Sequence, residues 1–204
     1  MHRSFLIFAM GFIALMAGVL FYAARIPVQA PGAVSPVMPP VVAEQSQQAV
    51  HPSFQLPDIE GSQRDFSEWG GKHRLLNFWA TWCAPCRREI PLLKAFQDEH
   101  GDDGFQIIGI AVDFPEDVAR YAESAEFNYP ILVGQEDAMA IAETSGVDFI
   151  GMPFTMIVAA DGELLNSHMG EIHQEDLEHI VKVLTMLDNG EIDKESARKG
   201  LDFL

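Results

Sequence analysis

A short apolar run, Arg74-Leu75-Leu76-Asn77-Phe78-Trp79-Ala80, is followed within three residues by Cys83-Ala84-Pro85-Cys86, and then by Ile90, Leu92, Leu93 and Phe96 at roughly helical spacing. This order of strand, cysteine pair and helix constrains the chain more than any other stretch. The run is of strand length, and the helical pattern closes near His100-Gly101. Both cysteines are thereby set at a strand-to-helix junction. Pro85 suits that place, because the first turn of a helix needs no backbone N–H from it. Cys86 follows Cys83 by three positions, so it faces the same side one turn along.

The remaining pattern alternates strands and helices. Phe105 to Val112 is a continuous apolar run that reads as a central strand buried on both faces. Pro115 to Ala125 and Asp137 to Thr144 read as helices separated by the short run Ile131-Leu132-Val133. Phe154 to Ala159, the turn Asp161-Gly162 and Leu164 to Met169 read as a hairpin. Glu175 to Leu187 reads as a last amphipathic helix, stopped by Asn189-Gly190. The expected architecture is α/β, a central mixed sheet flanked by helices.

The N-terminus reads differently. Residues 5–24 are 20 uncharged, mostly apolar positions, enough for a helix of about 30 Å. Residues 1–25 are therefore expected to form a transmembrane anchor, with a cleaved signal peptide as the alternative. Arg3 and the amino terminus place the domain outside the cytoplasm in either case. From Arg25 to Pro52 the chain holds six of its twelve prolines, so 26–50 reads as an extended linker. That leaves 51–188 as the folded domain and 189–204 as a charged tail. After residue 50 the chain carries 29 acidic against 11 basic side chains. Such a surface repels phosphate backbones, so no nucleic-acid partner is expected.

A thiol reacts as thiolate, and the free N–H groups and dipole of a helix N-terminus stabilise that charge. Cys83 is thus the candidate nucleophile and Cys86 the resolving thiol. A zinc site and a structural disulfide are the alternatives. One CxxC supplies two metal ligands, with no second pair and no nearby His-x-x-x-His. A staple closing so small a loop constrains the unfolded chain little. No pattern places any of the seven histidines beside the cysteines, and each is expected at the surface.

Leu76-Asn77-Phe78-Trp79-Ala80-Thr81-Trp82-Cys83-Ala84-Pro85-Cys86-Arg87-Arg88-Glu89-Ile90-Pro91 resembles the thioredoxin superfamily, specifically its membrane-anchored TlpA/ResA-like branch. The resemblance covers about residues 51–188 and implies a thioredoxin-like fold. His51 to Gly61 is similar to the branch's added N-terminal hairpin, and Gly151-Met152-Pro153-Phe154-Thr155 to its cis-proline loop. What it implies is an extracytoplasmic thiol-disulfide oxidoreductase that reduces disulfides of partner proteins, for example in cytochrome c maturation. The catalytic set would be Cys83, Cys86 and Glu89, with Glu89 relaying a proton for Cys86; a solvated charge pairing with neighbouring arginines is the competing reading of Glu89. Trp82, Ala84, Pro85, Met152 and Pro153 would bind substrate, and Trp79 would be core.

No cofactor beyond the redox-active Cys83–Cys86 disulfide and no metal is implied. The implied partners are a disulfide-containing protein and a membrane thiol-electron donor, with the chain anchored in a bacterial inner membrane and its domain in the periplasm. One departure matters: where thioredoxin proper has a buried aspartate, this chain has Asn77, which cannot titrate. A thiol peroxidase and a copper or haem-protein chaperone are the alternative functions. A thiol peroxidase shares the fold but needs a threonine three positions before the nucleophile, where Ala80 stands. A copper or haem-protein chaperone would use the CxxC for binding, yet copper chaperones of this fold have three residues between their cysteines and this chain has two.

Overall fold

The computed structural model describes residues 50–143, 146 and 151–202. The anchor expected over 1–25, and all of the expected linker except residue 50, lie outside them. Among the described residues no helix is long and apolar enough to cross a membrane.

Five strands form the main sheet: β3 (His73–Trp79), β4 (Phe105–Val112), β5 (Ile131–Gly134), β6 (Phe154–Val158) and β7 (Leu164–Met169), in the order β5-β4-β3-β6-β7. β3, β4 and β5 run parallel, while β6 and β7 are antiparallel to their neighbours. Parallel neighbours need crossovers. These are α1 (Ala84–His100) between β3 and β4, and α2 (Pro115–Ala125) between β4 and β5. α3 (Glu136–Glu143) follows β5, and α4 (Gln174–Asp188) follows β7.

Every residue of β3 is buried, so its sequence shows no polar alternation even though its side chains alternate between two cores. Leu75 and Trp79 pack on one face with Ile107, Ile157, Ile90, Leu93 and Phe96 of α1, and Leu177, Ile180 and Leu184 of α4. Leu76 and Phe78 pack on the other with Ile108, Ile110, Phe154, Met156 and α3. Burying each such side chain stabilises the fold by about 1.5–3 kcal/mol. Asn77, two residues from both Leu75 and Trp79, therefore projects toward α1 and away from solvent.

β1 (Gln55–Pro57) and β2 (Gln63–Asp65) form the small N-terminal hairpin. It joins the domain through a bridge from Asp58 to Leu132 of β5 and buries Leu56 and Phe66 in the α3-side core.

The fold continues past residue 188, where the sequence reading closes the domain. α5 (Lys194–Leu201) starts on Asp193, whose side chain accepts the Ser196 N–H, and it buries Ala197 and Leu201 in the α4-side core. Lys194 pairs with Asp161 and Glu163, and Arg198 with Glu163, fixing α5 to the β6–β7 turn. The charges that make 189–204 look like a tail lie on the outer face of this helix and in those pairs.

Candidate active site

β3 delivers the chain to the cysteines. After Trp79, whose indole is buried against Tyr121 and Phe127, the loop Ala80-Thr81-Trp82 leads to Cys83 at the N-cap of α1. Cys83 takes an extended conformation there (φ −80°, ψ 104°), and its Sγ accepts the Cys86 backbone N–H at 3.3 Å. The proline of the pair sits in the first helical turn. Cys83 and Cys86 are joined as a disulfide with their Cα atoms 5.3 Å apart. Cys86 is fully buried and Cys83 only 5% exposed, so of the two cysteines Cys83 alone retains contact with solvent.

The expected substrate-binding residues gather at the same end of the sheet. Trp82 is 69% exposed, Ala84 is exposed, and Pro85 and Met152 are half-buried. The Met152–Pro153 peptide is cis. Phe154 pairs with Phe78 near the end of β3, which brings Pro153 to the edge from which Cys83 emerges.

Beneath the disulfide lies a buried polar chain. Glu89, 1% exposed, is on the inner face of α1 three residues beyond Cys86, a spacing that puts Cβ atoms about 5–6 Å apart. The Asn77 side-chain amide donates to its Oε1 at 2.7 Å, and the Ile172 N–H donates to its Oε2 at 2.8 Å. Asn77 Nδ2 also donates to Thr155 Oγ1 at 3.2 Å, from the directly paired position on β6. Burial disfavours the carboxylate and these two donors favour it; burial wins, pushing the Glu89 pKa up from 4.5 to about 7. The reading of Glu89 as a solvated charge is thus overturned. It is Arg88 beside it that makes the surface ion pair, a two-nitrogen grip on Glu171. Consecutive residues of α1 therefore hold consecutive residues of the β7–α4 loop.

Asp113, buried immediately after β4, was not among the sequence candidates. Its carboxylate accepts both the N–H and the hydroxyl of Thr81, in the loop that carries Trp82. An acid closing a central apolar strand at its C-terminal end was the available signal. The histidine expectation also needs correction: His73 and His168 are buried, not at the surface. His73 Nε2 lies 3.0 Å from Asp188 Oδ2 at the far end of β3, where the Phe105 ring packs against its own. Neither borders the cysteines. Among the described residues no group of three or more His, Cys, Asp or Glu is placed to hold a metal ion.

A model of the AhpC/TSA family matches residues 48–167. The chain is 31% identical over 128 residues to the thiol-disulfide oxidoreductase ResA of Geobacillus kaustophilus, covering 62% of this chain and 71% of that protein. It is 30% identical to the thioredoxin-like protein YneN of Bacillus subtilis, covering 66% and 77%. Among solved structures, a thiol:disulfide interchange protein of the thioredoxin family from Chlorobium tepidum superposes with a TM-score of 0.61 at 28% identity, covering 67% of this chain and 95% of the other.

Proposed function

Because the chain belongs to the AhpC/TSA family, and is a thiol-disulfide oxidoreductase of the ResA type, we propose that it works as a reductase of partner-protein disulfides outside the cytoplasm, in settings such as cytochrome c maturation. The observation that carries this reading is the disulfide at the start of α1, where Cys83 caps the helix and borders solvent while Cys86 is enclosed.

In the reduced protein, Cys83 thiolate attacks one sulfur of the partner's disulfide. That S–S bond breaks, a mixed disulfide forms, and the leaving thiolate takes a proton. The α1 N-terminus and the Cys86 N–H favour the charged nucleophile. Cys86 thiol then passes its proton to the Glu89 carboxylate, whose pKa of about 7 suits it to accept a proton and give it up again near neutrality. The Cys86 thiolate attacks Cys83 Sγ, releasing the partner's second thiolate, which is protonated in turn. Two electrons and two protons have moved to the partner, and the Cys83–Cys86 disulfide remains. A dithiol donor in the membrane restores the reduced form. Trp82, Met152 and Pro153 border the approach to Cys83 and align the partner's chain. No bound cofactor is needed in this cycle.

We place residues 1–25 in a bacterial inner membrane with the domain in the periplasm, on the strength of the apolar stretch 5–24. Resistance of the protein to alkaline extraction from membranes, lost on deleting that stretch, tests the anchor. A peroxidase reading has less support, because Ala80 brings no hydroxyl and that of Thr81 is committed to Asp113 at 2.6 Å. The reductase mechanism is tested by Cys86→Ala in cells: mixed disulfides through Cys83 should accumulate, and their absence would sink the mechanism.

A further inference from the structure

One carboxylate ties together the two loops at the C-terminal ends of β3 and β4. Asp113 Oδ2 accepts the Thr81 N–H at 2.9 Å and the Thr81 hydroxyl at 2.6 Å, while Oδ1 accepts the Phe114 N–H at 2.8 Å. Thr81 leads directly into Trp82 and Cys83, so this group fixes the approach to the nucleophile and Phe114 at once. Phe114 is 55% exposed and Trp82 more so; they are the two most exposed large apolar side chains among the described residues. Met169 is exposed at the same end of the sheet, paired across from Phe154.

Exposed rings whose backbone is held by a buried polar group, beside a sulfur with little exposure of its own, form a surface made to be covered. What covers it is set by chemistry. A mixed disulfide holds the partner's Cα about 5.5–6 Å from that of Cys83, so residues flanking the partner cysteine must lie over the neighbouring rings. No charged group is needed to receive them.

We propose that Phe114 is a specificity-determining contact and Asp113 a positioning residue, which with Trp82 receive an extended, cysteine-bearing segment of a partner protein whose residues beside the cysteine are apolar. The proposal rests on the thiol-disulfide reading above. Per turnover the protein dithiol becomes the Cys83–Cys86 disulfide and the segment's disulfide becomes two thiols, with two electrons and two protons transferred.

The test uses the full chain, reduced and in detergent, with two synthetic peptides, each closed by one disulfide and flanked either by Leu and Phe or by Ser. In single turnovers of the reduced protein, the ratio of second-order rate constants for the apolar over the serine peptide should be about tenfold, arising in the half-saturating peptide concentration. Phe114→Ser should bring it close to one. Asp113→Asn should do the same, because the amide sets an N–H against at least one of the two backbone donors. Val50→Ala, at the opposite end of the sheet beside Leu164, should leave it unchanged. A purely structural Asp113 would slow both peptides alike and preserve the ratio, which would overturn its positioning role. A wild-type ratio near one, or one that survives Phe114→Ser, overturns the proposal. So does a dimer of the reduced protein abolished by Phe114→Ser, which would assign the patch to a second copy. Failure to reduce either peptide would instead overturn the thiol-disulfide reading itself.

Discussion

Glu89→Gln separates a titrating carboxyl from a merely buried polar group. In the folded protein Glu89 titrates near 7 against 4.5 in its ordinary surroundings. Between those values the folded state binds a proton that the unfolded state has released, so stability falls as pH rises through this window and levels off above it. At about 1.4 kcal/mol per pH unit the gap amounts to about 3 kcal/mol, of which between about 2 and 3 kcal/mol falls between pH 5 and pH 8. Measurements should stay above pH 5, because the sequence pI of about 4.6 brings the net charge toward zero below it. Gln cannot titrate, and it sets an N–H against either Asn77 or Ile172, a roughly constant cost of about 1–3 kcal/mol. Urea unfolding of the disulfide form of both proteins at pH 5 and pH 8 gives the double difference. Glu89→Gln should gain about 2 to 3 kcal/mol on wild type over that interval, whatever its offset at pH 5. The pH profile of disulfide exchange should also lose its inflection near 7. A double difference within about 0.5 kcal/mol of zero would refute the desolvated carboxyl and the proton-relay role with it.

Three further outcomes follow from the same contacts. Asn77→Asp replaces the donor 2.7 Å from Glu89 with a second acid, so the two should share a proton and destabilise the fold by about 2–4 kcal/mol more at pH 8 than at pH 5, read by urea unfolding. Leu201→Ala, at a fully buried site of α5, should cost about 2–5 kcal/mol, whereas no measurable loss would mean that the helix does not hold the β6–β7 turn in solution. Glu171→Gln breaks the exposed pair with Arg88 and should leave stability almost unchanged, any small loss diminishing with salt, so an effect as large as that of Glu89→Gln would contradict the division of roles between these neighbours.

The disulfide centre was legible in sequence because its chemistry and its local structure use the same residues. Apolar run, cysteine pair, proline and helical period all lie within 74–96, and each is decided by near neighbours. The same holds for α2 and the β6–β7 hairpin, whose limits follow from Pro115 and from Asp161-Gly162. Contacts between distant segments were not legible. Glu89 accepts the N–H of Ile172, 83 positions away, and Asp113 binds Thr81 across 32. α5 escaped because only two of its eight residues, Ala197 and Leu201, are buried; a strongly charged helix with so narrow an apolar face resembles a solvated tail.

Asn77 shows how a departure in sequence becomes a different solution in space. Its side chain occupies the buried position of β3 that faces α1, where an acid would have been a candidate proton acceptor. Here that position donates instead, and the carboxyl it donates to belongs to α1, on the helix face that carries Cys86. Moving the acid from strand to helix gives it a different set of partners. On β3 an acid would face the donors of the sheet core; on α1 it also receives the N–H of Ile172, from the loop that Arg88 holds through Glu171. Proton affinity at the resolving cysteine is therefore tied to the seating of the β7–α4 loop. Withdrawing the Ile172 N–H while Glu89 stays buried should remove one of the two donors that oppose burial, raising the Glu89 pKa further above 7 and shifting the exchange profile toward alkaline pH.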